Sequence, residues 1–164
     1  MKSRIVVPVD GSECSAHSLD AACELAQATD AGIVLHHVVS GVRAATLSCG
    51  EPSLVAGCLD ALRQEGKAIV AEAYERACRI LPAGRVESST SMGDPIGEIA
   101  RAASGEGVKW IVMGSHGRSG VSRLLMGSVA EGVLHRASVP VMIVPPQRRD
   151  RLTVRGSAAA EVPV

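Results

Sequence analysis

Aromatic residues are almost missing from this 164-residue chain: it has no Phe, one Trp (Trp110) and one Tyr (Tyr74). The interior must therefore be built from aliphatic side chains, and no row of rings is available for stacking on bases. An excess of either charge is also missing, because 17 Lys and Arg balance 17 Asp and Glu. A nucleic-acid binder would carry a basic patch. The one local cluster, Arg148-Arg149 with Arg151, reads as a solvated flank of the tail. No apolar run approaches the ~20 residues that span a bilayer, and no signal-peptide pattern follows Met1-Lys2-Ser3-Arg4. The expectation is a cytoplasmic protein with neither a nucleic-acid nor a membrane partner. The cysteines Cys14, Cys23, Cys49, Cys58 and Cys78 are odd in number and form no C-x-x-C, which argues against a disulfide framework or a zinc site. Cys23 and Cys78 read as small core residues. Two phosphate-binding signatures are missing as well. There is no G-x-x-x-x-G-K-[ST], and no G-x-G-x-x-G follows the first apolar run.

What is present is alternation. Hydrophobic residues make up 46% of the chain, enough to fold, and the length suits one domain. Apolar runs at 5–9, 33–39, 109–113 and 139–144 are rich in Val and Ile and nearly continuous, as in strands buried on both faces. The run at 85–90 is more polar and suits an edge strand. Between the runs lie helical patterns. Residues 15–29 place Leu19, Ala22, Cys23 and Ala26 on one face, with Ser12 as a cap and Gly32 after the end. Residues 54–81 place Leu59, Leu62, Ile69, Val70, Ala73 and Ala77 inward; Gly57 and Gly66 weaken this helix and Pro82 stops it. Asp94-Pro95 opens a helix that runs to about Ser104, and residues 128–136 form the last one. The order β-α-β-α-β-α-β-α-β implies an α/β fold: one domain with a parallel sheet covered on both faces. Residues 40–53 read as a loop. The domain spans 1–146, and 147–164 read as a poorly ordered tail.

Ligands of such sheets sit beyond the carboxyl ends of the strands, where the winding reverses. There the fourth run is followed by Gly114-Ser115-His116-Gly117, and nine residues later Gly127-Ser128-Val129 opens a helix. Glycines let backbone approach an anion, and a helix N-terminus offers N–H groups and partial positive charge. Taken alone, the same glycines serve equally as turns and a helix cap. The first run ends Pro8-Val9-Asp10-Gly11-Ser12. Asp10 can accept ribose hydroxyls, reach a phosphate-bound Mg²⁺, or simply cap the next helix. Facing a phosphate cradle, the ligand roles are favoured. Ser115, His116 and Asp10 do not read as a hydrolytic triad, because chain neighbours point different ways and no G-x-S-x-G elbow surrounds Ser115. Of His36 and His37, one reads as a satisfied core histidine; His17 and His135 read as helix-surface residues.

The spacing Gly114-x2-Gly117-x9-Gly127-Ser128 matches the G-x2-G-x9-G-[ST] motif of the nucleotide-binding universal stress proteins, which the chain resembles over about residues 2–145. The opening Ile5-Val6-Val7-Pro8-Val9-Asp10-Gly11-Ser12 and the second-strand Leu35-His36-His37-Val38 resemble the family too. The resemblance implies a Rossmann-like five-stranded open sheet of order 3-2-1-4-5, with the site between strands one and four. It implies adenine at the Val38 backbone with Pro8 nearby, and ribose near Asp10 and Gly114. The amides of Gly117, Gly127, Ser128 and Val129 would hold the phosphates. It also implies a homodimer that pairs the last strand, from Val139 to Val144. The expected function is a stress-response regulatory module that binds ATP, AMP or a related adenine nucleotide, with Mg²⁺ reached through Asp10. Slow ATP hydrolysis and a nucleotide-free interaction module are the alternatives. Asp10 and His116 are the only evident bases, so weak or absent turnover is expected.

Overall fold

The computed structural model describes residues 3–49, 51–117 and 126–146. The expected tail, 147–164, lies outside the described residues. Five strands form one sheet: β1 (Arg4–Pro8), β2 (Gly32–Val39), β3 (Val86–Met92), β4 (Val108–Gly114) and β5 (Val141–Val144). Their order is β3-β2-β1-β4-β5, and every neighbouring pair is parallel. The helices are α1 (Glu13–Thr29), α2 (Gly41–Leu47), α3 (Pro52–Cys78), α4 (Pro95–Ala103) and α5 (Ser128–Arg136). Successive strand residues point to opposite faces, so one sheet divides the core in two. Ile5, Val7, Ile33, Leu35 and Val112 meet Leu19, Cys23, Val70 and Ala77 of α1 and α3. Val6, Ile111 and Met113 meet Ile99 and Ala103 of α4 and Ala130 and Val133 of α5.

The helix starts follow local chemistry. Ser12 Oγ accepts the Ser15 N–H at 3.1 Å, and Asp94 Oδ2 accepts the Gly97 N–H at 2.9 Å with Pro95 at the first helical position. The end of α1 departs from the expected glycine signal. Asp30 takes the left-handed conformation (φ 51°), and Arg85 reaches across the fold to the last carbonyls, of which Ala26 O already accepts the Asp30 and Ala31 N–H groups. Arg85 Nη2 donates to the Ala26 and Ala31 oxygens, each at 2.6 Å, and Nε donates to Ala31 O at 3.1 Å. Arg85 was expected to open the edge strand; it ends a 3₁₀ turn before β3 and serves as a distant helix cap. We expect Arg85→Ala to cost about 1–3 kcal/mol, the range for losing charge-assisted bonds to partly buried carbonyls. A urea midpoint equal to wild type would refute that role.

The expected loop at 40–53 is largely helical. Ser40 Oγ accepts from the Arg43 N–H at 3.4 Å, α2 spans seven residues, and Ala44 is buried against Val39 and Leu62. A helix this short shows no readable periodicity and is held by packing instead. The expected weakness at Gly66 also has another meaning, since a Cβ there would lie 2.7 Å from His37 Cδ2. The helix passes this close to the sheet because Gly66 has no side chain.

Both histidines of β2 are buried and both are hydrogen-bonded. His36 bridges to β3, with Nδ1 2.8 Å from Ser89 Oγ and Nε2 3.1 Å from Ser91 Oγ. Burial pushes its pKa below the ordinary histidine value, and the nearby His37 and Arg101 lower it further. Below about pH 6.5 the unfolded chain therefore takes up a proton that the folded protein resists. The contribution is complete above that pH and is lost as pH falls through it toward the lower folded value. Denaturation midpoints should drop between about pH 7 and pH 5, and His36→Asn should reduce the drop. An identical drop in the variant would assign it to other groups. His135 is exposed as expected, whereas the Nδ1 of His17 is enclosed with no hydrogen-bond partner among the described residues.

Candidate functional site

The sheet winds one way from β1 through β2 to β3 and the other way from β4 to β5, so the reversal lies between β1 and β4. The two strands part early. β1 pairs with β2 as far as Pro8↔His36, but with β4 only through Arg4, Ile5 and Val6. Pro8 has no N–H to continue a ladder. The two strand ends therefore diverge beside Pro8, and the space between them is the candidate crevice. The segments that leave the two strand ends bound it, with Asp10 on one side and Gly114 to Gly117 on the other.

Asp10 is half-buried and fixed at several points. Its N–H donates to Ser15 Oγ at 3.2 Å, and its Oδ1 accepts the Ser12 N–H at 2.9 Å. Gly11 makes the turn with φ 78°, a region open to glycine. The carboxylate thus serves the turn into α1 through one oxygen. Its other oxygen, Oδ2, lies 2.7 Å from where a Cβ on Gly117 would stand. The structure brings Asp10 and Gly117 together across the crevice.

Gly114 and Gly127 of the spaced motif lie close against the protein's own backbone. At Gly114 a Cβ would meet Cys14 Sγ at 2.8 Å and the Cys14 backbone C and O at 3.1 Å. The expected ribose neighbour is thus a point where α1 presses on the end of β4. At Gly127 a Cβ would lie 3.2 Å from Ser115 O. Ser115 is the knot of this region. It is buried, its N–H donates to Val144 O at 2.9 Å, and its carbonyl accepts the Gly127 N–H at 2.8 Å. Gly127 is the N-cap of α5 and offers no side-chain cap; exposed Ser128 and half-buried Val129 follow it. The end of β4 therefore carries the start of α5 directly, with the helix N-terminus at the crevice.

Two features went unseen in the sequence. Cys14 lies beneath Gly114, with Sγ 3.7 Å from Val144 O and 4.0 Å from Ser115 Oγ. No spacing rule signals such a contact. Ser115 Oγ and His116 Nδ1 are 2.9 Å apart, so the expectation that these neighbours point different ways is wrong. Irregular backbone after a strand does not keep the alternation on which that expectation rested. Val38 stands near the end of β2, half-buried, with its side chain against the α4–α5 core. Among the described residues, no three side chains are grouped to hold a metal ion, and no helix is long and apolar enough to cross a membrane.

A family model described as "Universal stress protein family" matches residues 1–145. The chain belongs to the universal stress protein family. Universal stress protein YxiE of Bacillus subtilis is 34% identical over 149 residues, covering 88% of this chain and 99% of the relative. Among solved structures, MJ0577 of Methanocaldococcus jannaschii superposes with a TM-score of 0.76 at 26% identity, covering 90% of this chain and 99% of the other. A universal stress protein solved in complex with cAMP gives a TM-score of 0.63 at 25% identity, covering 89% and 98%. These likenesses run the length of the described fold and include both sides of the crevice.

Proposed function

We propose that this universal stress protein binds an adenine nucleotide in the crevice between β1 and β4, as a regulatory module that holds the nucleotide rather than consuming it. One observation carries the reading: the N-terminus of α5, without a side-chain cap, is anchored on Ser115 at the end of β4, two residues before the Gly117 that faces Asp10. Backbone N–H groups and the helix dipole suit phosphate oxygens. The residues fit the group. Gly117 leaves backbone accessible beside the carboxylate, and Gly127, Ser128 and Val129 present the first turn. Asp10 Oδ2 suits a ribose hydroxyl or a nucleotide-borne Mg²⁺, while Pro8 and the Val38 backbone border the base. A relative of similar fold was solved with cAMP, which supports the adenine.

ATP, AMP and cyclic nucleotides share the features named, and the same crevice chemistry applies to each. Hydrolysis is disfavoured because backbone amides transfer no proton, and the Nδ1 of His116 is already engaged by Ser115. The homodimer reading rests on β5, an edge strand whose Met142 is 43% exposed. An apolar edge is a template for pairing, and a second copy would cover it.

A ligand that binds only the folded state raises the unfolding temperature. Thermal shift with ATP, AMP and cAMP should show a concentration-dependent rise for at least one. No shift at millimolar concentration of any of them would sink the reading. Steady phosphate release from ATP, lost in Asp10→Ala, would instead make the protein an enzyme.

A further inference from the structure

The second histidine of β2 is tied to the crevice rather than to the neighbouring strand. His37 is 7% exposed, and its Nδ1 lies 2.7 Å from the carbonyl oxygen of Val9. A carbonyl only accepts, so Nδ1 carries the proton and donates. The Val9 carbonyl and the Asp10 N–H belong to one peptide group. That group is clamped from both sides, by His37 of β2 at its oxygen and by Ser15 of α1 at its nitrogen. Val9 N–H is held as well, by His36 O at 2.9 Å. The clamp lies one residue past the end of the β1–β2 ladder, just beyond the backbone bond made by Val9 N–H. The far edge of the imidazole rests on α3, since a Cβ on Gly66 would lie 2.7 Å from Cδ2 and 3.0 Å from Nε2. A chain of contacts thus runs from Gly66 through His37 and the Val9–Asp10 peptide to the carboxylate facing Gly117.

We infer that His37 is a positioning residue of the nucleotide site: it sets the Val9–Asp10 peptide plane and thereby aims the Asp10 carboxylate, with Gly66 as its seat. This rests on the nucleotide-binding reading above. A side chain that merely fills the core would contribute to stability alone. A positioning residue contributes to affinity only through the group it positions, and the two differ in their coupling to Asp10.

The test measures affinity by calorimetry for the tightest binder among ATP, AMP and cAMP, in the full chain. His37→Leu removes the donor and should weaken binding about 10- to 100-fold, by analogy with the loss seen when the partner that orients a metal-ligating side chain is removed. His37→Asn places an amide N–H near the Nδ1 position and should restore most of the affinity. With Asp10→Ala already present, His37→Leu should cause no further loss. Should His37→Leu not fold, Gly66→Ala displaces the ring while leaving every hydrogen-bonding group in the chain, and should weaken binding in the wild-type background but not beside Asp10→Ala. Wild-type affinity in His37→Leu, or in Gly66→Ala where that variant must stand in, would overturn the inference, as would losses that add fully to that of Asp10→Ala. A wild-type protein that binds none of the three nucleotides overturns the underlying reading, and the inference with it.

Discussion

The Gly117→Val protein should fold with near wild-type stability and bind adenine nucleotides at least about 100-fold more weakly, a loss of ~3 kcal/mol. Gly117 is exposed, and its φ lies outside the left-handed region, so valine brings little backbone strain. The loss is local. A Cβ at this position would stand 2.7 Å from Asp10 Oδ2, and the two γ-methyls extend further into the crevice. The carboxylate must turn away or the branched side chain must occupy the space a phosphate would enter. Either outcome removes binding. Gly117→Ala should fall between, since it adds the Cβ contact without the methyls. Calorimetric titration together with a urea melt separates binding from folding. A Gly117→Val protein with intact stability and wild-type affinity would mean that no phosphate lies between Gly117 and α5.

Gly114→Val is expected to act on the fold instead. The added Cβ meets Cys14 Sγ at 2.8 Å, a side chain that can rotate, but also the Cys14 backbone C and O at 3.1 Å, which cannot. Gly114 pairs with Val144 in the β4–β5 ladder, so the strand cannot yield without losing that pairing. The first turn of α1 must lift away, and overpacking of this kind costs about 3 kcal/mol or more at the upper end of its range. For a chain of this size that corresponds to a fall of roughly 6–12 °C in Tm. Combining it with Cys14→Ala should recover only part of the loss, because the backbone contacts remain. Full recovery would place the whole effect on the sulfur, and an unchanged Tm would refute the close approach.

These two glycines, three positions apart in one motif, show what a spacing pattern can carry. The motif marks where backbone comes close to something. It does not say whether that something is a ligand or the protein itself. Gly117 faces the crevice and Asp10; Gly114 faces α1 and Cys14. The same limit explains Gly66, which reads as a defect in a helix until the ring of His37 is seen against it. Arg85 is a further case, because no local rule sends an arginine back across the fold to carbonyls of a helix that ended dozens of residues earlier.

The order of the amino acids was enough for the five strands and four of the five α-helices among the described residues, and for the parallel α/β class, because hydrophobic periodicity and capping are local signals readable within a turn or two. It also placed Asp10 and the motif glycines at strand ends, where a ligand would be met. The strand order came from family resemblance, since alternation alone leaves several windings open. Other features emerged only from the packed fold: that β1 and β4 part beside Pro8, that α2 is a helix, that Ser115 joins β4, β5 and α5, and that one peptide group is held between His37 and Ser15. Those contacts join residues far apart in the chain. Their distances depend on how whole helices seat on the sheet, and packing at that level leaves no periodic trace along the chain.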